Sequence, residues 1–149
     1  MNISQAKDEM LVLFKSYWDA QLASLYPTLT VQVIWPGVDI QTPPLPELPF
    51  IRVSIFHNFS RQSTFAPGAR RFERNGLITI QVFTPLSSNL VAANVALCEK
   101  LGIIARDAFE GKDTPGGVWF RNANLREVGS DGTWYQFNMS VEFNYDEFK

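Results

Sequence analysis

The chain has 149 residues and a net charge of −2, with 46% hydrophobic and 19% charged residues. This length and composition predict one globular domain, residues 1–149, with a sizeable apolar core and a charge-poor surface. The acidic balance argues against a general nucleic-acid binder, the single cysteine excludes an intramolecular disulfide, and the single histidine argues against a structural zinc site.

The chain also lacks the signals of membrane insertion and secretion. No hydrophobic run approaches the roughly 18–20 residues that cross a bilayer, so no membrane contact is expected. The first nine residues are polar and mixed in charge, unlike a secretory signal. We therefore expect a protein that acts, or is assembled, in a reducing cytoplasm.

The first predicted element is a helix that Ser4 caps and that runs to about Leu25, where Tyr26-Pro27 ends it. A short strand is predicted at 31–35. The proline-rich segment after it cannot join a sheet interior and is expected to run extended over the surface. The helix has one apolar stripe at three- and four-residue spacing, formed by Ala6, Met10, Leu13/Phe14, Tyr17/Trp18, Leu22 and Leu25.

Two further strands are predicted at 50–57 and 76–84, each with alternating apolar residues, and Pro85 ends the second of them. Residues 59–75 between them show no periodicity. This segment is predicted to be a mobile basic arm or a hairpin excursion between the two strands, and it contains Arg61, Arg70, Arg71 and Arg74.

A second helix is predicted from Ser87 or Ser88 to about Phe109, followed by a glycine-rich break and strands at 118–127 and 134–145. Val91, Val95, Cys98, Leu101/Gly102 and Ala105 line one side of this helix. The predicted order is α-β-β-β-α-β-β. It indicates an α+β fold in which two helices pack on one face of a mostly antiparallel mixed sheet, with a long arm between the second and third strands.

The final strand has two chemically different faces, because side chains in a strand point alternately to opposite sides. A turn at Gly129–Gly132 precedes it, which predicts a hairpin. Its apolar face is Tyr135, Phe137, Met139, Val141, Phe143 and Tyr145, and its polar face is Gln136, Asn138, Ser140, Glu142 and Asn144.

No catalytic motif is present: the chain has no Walker loop, G-x-G-x-x-G, H-E-x-x-H or G-x-S-x-G sequence. The glycine cluster 111–117 lacks the spacing of a phosphate loop and is interpreted as a plain loop. His57 is the one candidate imidazole base, but a structural or surface role is the stronger interpretation because no nearby carboxylate would orient it. Cys98, on the apolar stripe of the second helix, is interpreted as a small buried hydrophobe.

The basic arm is the segment with the clearest functional interpretation. Its four arginines have only Glu73 as a local opposing charge. Arginines and aromatic residues are favoured at protein interfaces, which predicts a subunit or partner contact at Arg61, Arg70, Arg71, Phe72 and Arg74. A solvated hairpin tip and a contact with DNA phosphates remain as alternatives.

Three stretches resemble the tail terminator-like proteins (minor tail protein U-like) of long-tailed bacteriophages. The first is Trp35-Pro36 with the proline-rich stretch and Phe50-Ile-Arg-Val53. The second is Arg70-Arg71 followed by Gly76–Pro85 and a helix. The third is Val128-Gly-x-Asp-Gly-x-Trp-Tyr-Gln136 before the long final strand. The resemblance spans roughly residues 30–145 and consists of packing and turn residues.

The resemblance implies a structural virion protein and no enzyme, cofactor or metal. Proteins of this family form a ring, typically of six subunits, that caps the tail tube, stops its polymerisation and provides the head-joining surface. The implied partners are the chain itself, the tail tube protein and a head–tail connector or neck protein, with a passing contact with DNA. The implied location is the head-proximal end of the virion tail, after assembly in the bacterial cytoplasm. On this basis the polar face of the final strand is expected to line a ring lumen or a subunit contact.

Three alternatives remain open at this stage. The first is another virion connector, such as a head-completion or neck protein. The second is a small hydrolase or nucleotide-binding enzyme that uses His57. The third is a cytosolic ligand-binding module, which requires a deep apolar pocket.

Overall fold

The computed structural model describes residues 1–37, 48–63, 70–86 and 91–148. The predicted proline-rich surface path, the tip of the basic arm and the cap at Ser87 or Ser88 lie outside these ranges. Within them, the chain follows the predicted order α-β-β-β-α-β-β, with α1 (Ile3–Leu25), β1 (Gln32–Ile34), β2 (Phe50–Gln62), β3 (Arg71–Pro85), α2 (Val91–Asp107), β4 (Trp119–Ser130) and β5 (Trp134–Phe148).

Helix α1 begins two residues earlier than predicted, because Asn2 and not Ser4 is its N-cap. The Asn2 side chain accepts a hydrogen bond from the Gln5 backbone N–H at 2.9 Å, and the Gln5 side chain accepts one from the Asn2 N–H at 3.0 Å. This reciprocal capping box satisfies two otherwise unpaired donors of the first turn. The buried stripe of the helix is Ala6, Met10, Phe14 and Trp18, whereas Leu25 is exposed.

Helix α2 lies against β3, β4 and β5 and also contacts α1. Cys98, Leu101 and Ala105 are buried, as the predicted stripe requires, and Gly102 lets the helix approach Leu125 of β4 closely. The helix ends at Asp107, two residues before the predicted end. No helix in the described ranges is long and apolar enough to cross a membrane.

The five strands form one sheet in the order β1-β2-β3-β5-β4. β1 pairs with β2 in parallel, and the other three pairs are antiparallel, so the sheet is mixed as predicted. The last strand, β5, lies between β3 and β4. Both backbone edges of β5 are therefore already paired, so β5 offers no free edge for sheet extension between subunits.

The core lies between the two helices and one face of the sheet. Three rows of directly paired residues from β2, β3 and β5 form the sheet side of this core, and all nine side chains are buried. The rows are Ile51–Val82–Phe137, Val53–Ile80–Met139 and Ile55–Ile78–Val141. The alternation in the sequence thus predicted the inward face correctly.

Strands β2 and β3 extend well beyond their predicted ends. The sequence predicted that β2 ends at His57 and that β3 begins at Gly76, but pairing continues from Ser60–Arg74 to Gln62–Phe72 after a bulge at residues 57–60. The described part of the predicted arm is therefore a continuation of the sheet, and we call residues 58–63 and 70–75 the hairpin extension.

Candidate interaction surfaces

Neither helix of the described ranges covers one face of the sheet, and the predicted polar row of β5 lies on this helix-free face. Gln136, Asn138, Ser140 and Glu142 are half-buried between neighbouring strands, and Asn144 is only 4% exposed. On β3 they lie beside the polar residues Gln81, Thr79 and Asn75 and also beside Phe83 and Leu77. The face is formed by β2, β3, β4 and β5 together, and it combines amides, hydroxyls and charged groups with apolar side chains.

The arginines of the hairpin extension are divided between the two faces of the sheet. Arg71 pairs with Asp146 at 2.9 Å on the helix-free face, and Arg74 pairs with Glu147 at 2.5 Å on the opposite face. The prediction that Glu73 alone opposes these charges is wrong, because the antiparallel register brings the carboxylates of β5 beside them.

The other three predicted contact residues lie around these two pairs. Phe72 is half-buried opposite Glu147, and Arg61 is exposed opposite Glu73 at the end of β2. Arg70 is exposed just before β3. The structure therefore brings the five predicted residues to one end of the sheet, but it gives Arg71 and Arg74 partners within the chain.

The Arg74–Glu147 pair is expected to contribute far more to stability than the Arg71–Asp146 pair. The side chains of Arg74 and Glu147 are 16% and 12% exposed, against 45% and 35% for Arg71 and Asp146. Removing one member of a largely buried pair strands its partner, so Arg74→Met should lower the free energy of unfolding by about 2 kcal/mol or more. Arg71→Met should lower it by under about 1 kcal/mol. Urea denaturation followed by circular dichroism measures both values.

A double replacement tests the cause of this difference. Arg74→Met with Glu147→Leu leaves no stranded charge and should recover most of the stability that Arg74→Met loses. If the double variant is as unstable as the sum of the two single variants, the ion pair is not the reason for the effect.

His57 lies in β2 just before the bulge at residues 57–60, and its ring packs against two aromatic rings of β5. It contacts the rings of Phe143 and Tyr145, with centroid separations of 5.1 Å and 5.7 Å, and its Nε2 is 2.7 Å from the Tyr145 hydroxyl. Burial, together with the positive charges of Lys7 and Arg74, lowers the pKa of His57. Burial also raises the pKa of Tyr145 to about 12, so the phenol keeps its proton and can donate to the neutral imidazole.

The lowered pKa of His57 predicts that the fold loses stability on mild acidification. The unfolded chain binds a proton near pH 6.5, whereas the folded protein resists protonation until the pH is lower. The contribution of His57 is thus present above about pH 6.5 and is lost as the pH falls through the folded pKa. Urea denaturation at pH 7.5 and 5.5 should show a larger loss for the parent protein than for His57→Gln.

The same expectation has a direct spectroscopic check. This chain contains one histidine, so the imidazole C–H resonances in a proton NMR titration are assigned to His57 without ambiguity. A midpoint at or above 6.5 in the folded protein would contradict the prediction.

Cys98 is a buried, protonated thiol. Its Sγ is 3.4 Å from the carbonyl oxygens of both Val82 and Tyr135, and burial raises the pKa of the thiol to about 11. A thiol needs a lowered pKa to act as a nucleophile near neutral pH. The interpretation of Cys98 as a small hydrophobe agrees with this geometry.

The glycine-rich segment after α2 is a turn that α1 holds in place. Glu9 of α1 accepts hydrogen bonds from the Thr114 hydroxyl at 2.6 Å and from the Gly116 N–H at 3.2 Å. These two donors therefore already bind the Glu9 carboxylate and are not free to bind a phosphate. The segment is therefore a plain loop, as its sequence indicated.

A cavity of about 270 Å³ opens on the helix-free face between two irregular points of the sheet. One is the bulge in β2 at residues 57–60, and the other is the irregular register of β4 at 121–124, where Asn122 has a φ of 55°. Bulges often lie beside binding sites because they redirect side chains. We call this cavity the inter-bulge pocket, and its lining includes Asn58, Asn75, Arg121, Glu142 and Asn144.

No pattern in the sequence indicates the inter-bulge pocket. Its residues come from four strands, and only Glu142 and Asn144 had been singled out, as parts of the polar row. Asn75 and Asn144 are directly paired between β3 and β5, and the side-chain oxygen of each is buried without a hydrogen-bond partner. No spacing in the chain indicates this pairing, because the two residues are far apart in sequence.

The described residues contain no cluster of three or more histidine, cysteine, aspartate or glutamate side chains that could hold a metal ion. Two further cavities lie on the outer side of α1, near Glu9 and Pro115.

The comparisons with known proteins show a shared fold. No protein-family model matches the chain, and no curated protein matches it. A solved structure designated only by a serial number is 16% identical, with a TM-score of 0.56, over 93% of this chain and 94% of that one. A chain from the virion of a native gene transfer agent particle is 18% identical, with a TM-score of 0.48, over 94% of this chain and 93% of that one. At this identity, the first likeness establishes a common α+β architecture and says nothing about activity.

Proposed function

We propose that this protein is a structural component of a phage-like virion: a tail terminator that forms a ring on the tail tube, ends tube polymerisation and presents the surface for head joining. The observation that carries the proposal is the helix-free face, a broad surface of polar, charged and aromatic side chains on one side of a sheet whose other side packs against both helices. The resemblance of residues 30–145 to tail terminators supplies the specific role.

The composition of the helix-free face supports a protein contact. Arg52 and Arg126 are exposed on it, and Arg121 lies over the Trp119 ring at 5.6 Å. Phe56 is 62% exposed among these polar groups. Arginine and aromatic residues are enriched in protein interfaces, and this mixture is unusual for a surface that faces only water.

Within this proposal the polar row of β5 lines the ring lumen or a contact between subunits. The hairpin extension contributes the contacts with a neighbouring subunit or with the tube, through Arg61, Arg70 and the half-buried Phe72. Arg71 and Arg74 act in the same contact by holding the two extended strands against β5.

The proposal assigns no catalytic residue and no cofactor. The His57 imidazole bonds to a phenol, and the Cys98 thiol is buried with a raised pKa. A head–tail connector or neck protein remains the nearest alternative role, because such a protein also needs a ring and a protein-binding face.

Electron microscopy of the purified protein, alone and with the tail tube protein of the same virion, tests the proposal. Closed rings that cap tubes of defined length are expected. Loss of the gene should give overlong tails, whereas loss of a neck protein gives tails of normal length that do not join heads. A protein that stays monomeric at high concentration and in the presence of tube protein would overturn the proposal.

A matched pair of variants connects the test to the helix-free face. Arg52→Glu places a negative charge on this face, and Lys100→Glu makes the same change at an exposed position on α2. Ring formation is expected to fail for Arg52→Glu and to persist for Lys100→Glu. Equal behaviour of the two variants would remove the helix-free face from the interface.

A further inference from the structure

The lining of the inter-bulge pocket includes two residues whose buried side-chain oxygens accept no hydrogen bond from the described part of the chain. These are the side-chain oxygens of Asn75 and Asn144, which are direct partners across β3 and β5. Paired residues on adjacent strands hold their side chains about 5 Å apart on the same face. A buried carbonyl oxygen without a donor costs free energy, and a donor group from a bound partner would offset that cost.

The two carboxamides can present their oxygens to an incoming group. The terminal torsion of asparagine is broad, so each amide can turn toward the cavity with little cost. Glu142 lies in the same lining, where its carboxylate accepts a hydrogen bond from Asn122 at 2.8 Å and forms an ion pair with Arg121 at 3.2 Å. The pocket therefore offers several oxygen acceptors but carries little net charge.

This chemistry fits a guanidinium group better than a metal ion. A hard divalent cation needs several anionic oxygens, and Arg121 already neutralises the one carboxylate of the lining. A guanidinium is planar, weakly hydrated and presents five N–H donors in a fixed fork. Two neighbouring carboxamide oxygens are suited to two of these donors.

The chain itself contains an exposed arginine that could bind in such a pocket. Arg70 is exposed at the outer end of the hairpin extension, and no ion-pair partner for it lies among the described residues. Arg71 and Arg74 are already paired, and Arg61 has Glu73 directly across from it. In a closed ring each subunit presents one surface to its first neighbour and a different surface to its second.

We infer that the inter-bulge pocket is a guanidinium-binding site and that its occupant is Arg70 of a second copy of this chain. The inference rests on the proposed ring, and it names the contact that joins one subunit to the next. Asn75 and Asn144 accept the two hydrogen bonds, and Asn58 at the mouth of the pocket lies next to the incoming hairpin.

A double-mutant cycle between subunits tests the contact. Arg70→Met removes the guanidinium, and Asn144→Leu removes an acceptor while keeping the side-chain volume. Each is expected to weaken association by about tenfold or more, measured by sedimentation at several concentrations, and the double variant should be no weaker than either single one. The control is Lys100→Met, because Lys100 is exposed on α2, on the other side of the sheet from the inter-bulge pocket. Asn75→Leu replaces Asn144→Leu if the latter does not fold.

The outcomes separate this inference from the proposed function. If the parent protein forms rings but the two replacements act independently or have no effect, the Arg70 contact is wrong and the terminator proposal stands. If the parent protein forms no rings, the terminator proposal fails and a second copy is excluded as the occupant. In that case N-acetyl-arginine amide serves as the probe: saturable shifts of the Asn75 and Asn144 amide resonances, absent with N-acetyl-lysine amide, support a guanidinium site, and their absence overturns it.

Discussion

Replacement of Gly76 by alanine is expected to destabilise the protein by about 3 kcal/mol or more, or to prevent folding. Gly76 lies in β3 between His57 of β2 and Phe143 of β5. A methyl group there would lie 2.1 Å from the carbonyl oxygen of Phe56 and 2.5 Å from the Phe143 ring. A backbone carbonyl in a paired strand cannot move aside without breaking the sheet. Glycine is the residue that permits such a close approach of two strands.

Gly102→Ala is the matched control for this prediction. A methyl group at Gly102 would meet the tip of the Leu125 side chain at 2.6 Å, and a leucine can change rotamer where a carbonyl cannot shift. Alanine also favours a helix over glycine by about 1 kcal/mol. Thermal denaturation should therefore show a fall of about 10 °C or more for Gly76→Ala and a small change for Gly102→Ala. Equal melting temperatures for the two variants would contradict the proposed contact with Phe56.

The order of the elements was predictable because the core imposes its periodicity on the sequence. Ile51, Val53 and Ile55 alternate with polar residues in β2, and Met10, Phe14 and Trp18 recur every four residues in α1. Burial against the opposite layer requires this spacing, so the fold class follows from it. The N-cap was misassigned by two residues, although Asn2 followed by Gln5 is itself a recognisable capping-box pattern.

The true ends of β2 and β3 were not predictable from hydrophobicity. Residues 71–75 include two arginines and a glutamate, and the strand there is held by backbone hydrogen bonds beyond the reach of the helices. Backbone pairing carries no side-chain pattern, so a segment without periodicity can still be a strand. The sequence therefore indicated an arm where the structure extends the sheet.

The partners of the arginines depend on register, which no local pattern specifies. Arg74 meets Glu147 because β3 and β5 pair antiparallel with Arg74 opposite Tyr145. A shift of one residue would move every side chain of β5 to the other face of the sheet. The same register brings Asn75 beside Asn144 and thereby creates the inter-bulge pocket. The candidate site is thus a consequence of the complete sheet, whereas the polar row of β5 was visible in the sequence alone.

Phe14→Ala is expected to lower the free energy of unfolding by about 3–5 kcal/mol, as for other large core aromatics. The Phe14 ring is fully buried and stacks on Trp18 at 5.4 Å and on Phe109 at 5.9 Å, and it meets the edge of Trp35 at 6.1 Å. One side chain thereby joins α1 to the end of α2 and to the residue after β1. Its removal leaves a cavity among rigid rings that cannot collapse to fill it.

The same replacement at Phe56 separates the effect of burial from that of residue type. Phe56 is 62% exposed, so Phe56→Ala should change the stability of the monomer by under about 1 kcal/mol. Phe14→Leu keeps much of the buried volume and should fall between the two alanine variants. Urea denaturation of all three gives the comparison. The idea is contradicted if Phe14→Ala lowers the free energy of unfolding no more than Phe56→Ala does. In that case α1 is held on the sheet mainly by the other buried residues of its stripe, which are Ala6, Met10 and Trp18. Phe14 lies on the opposite side of the sheet from the helix-free face. A Phe14→Ala protein that still folds should therefore form the same oligomer as the parent protein.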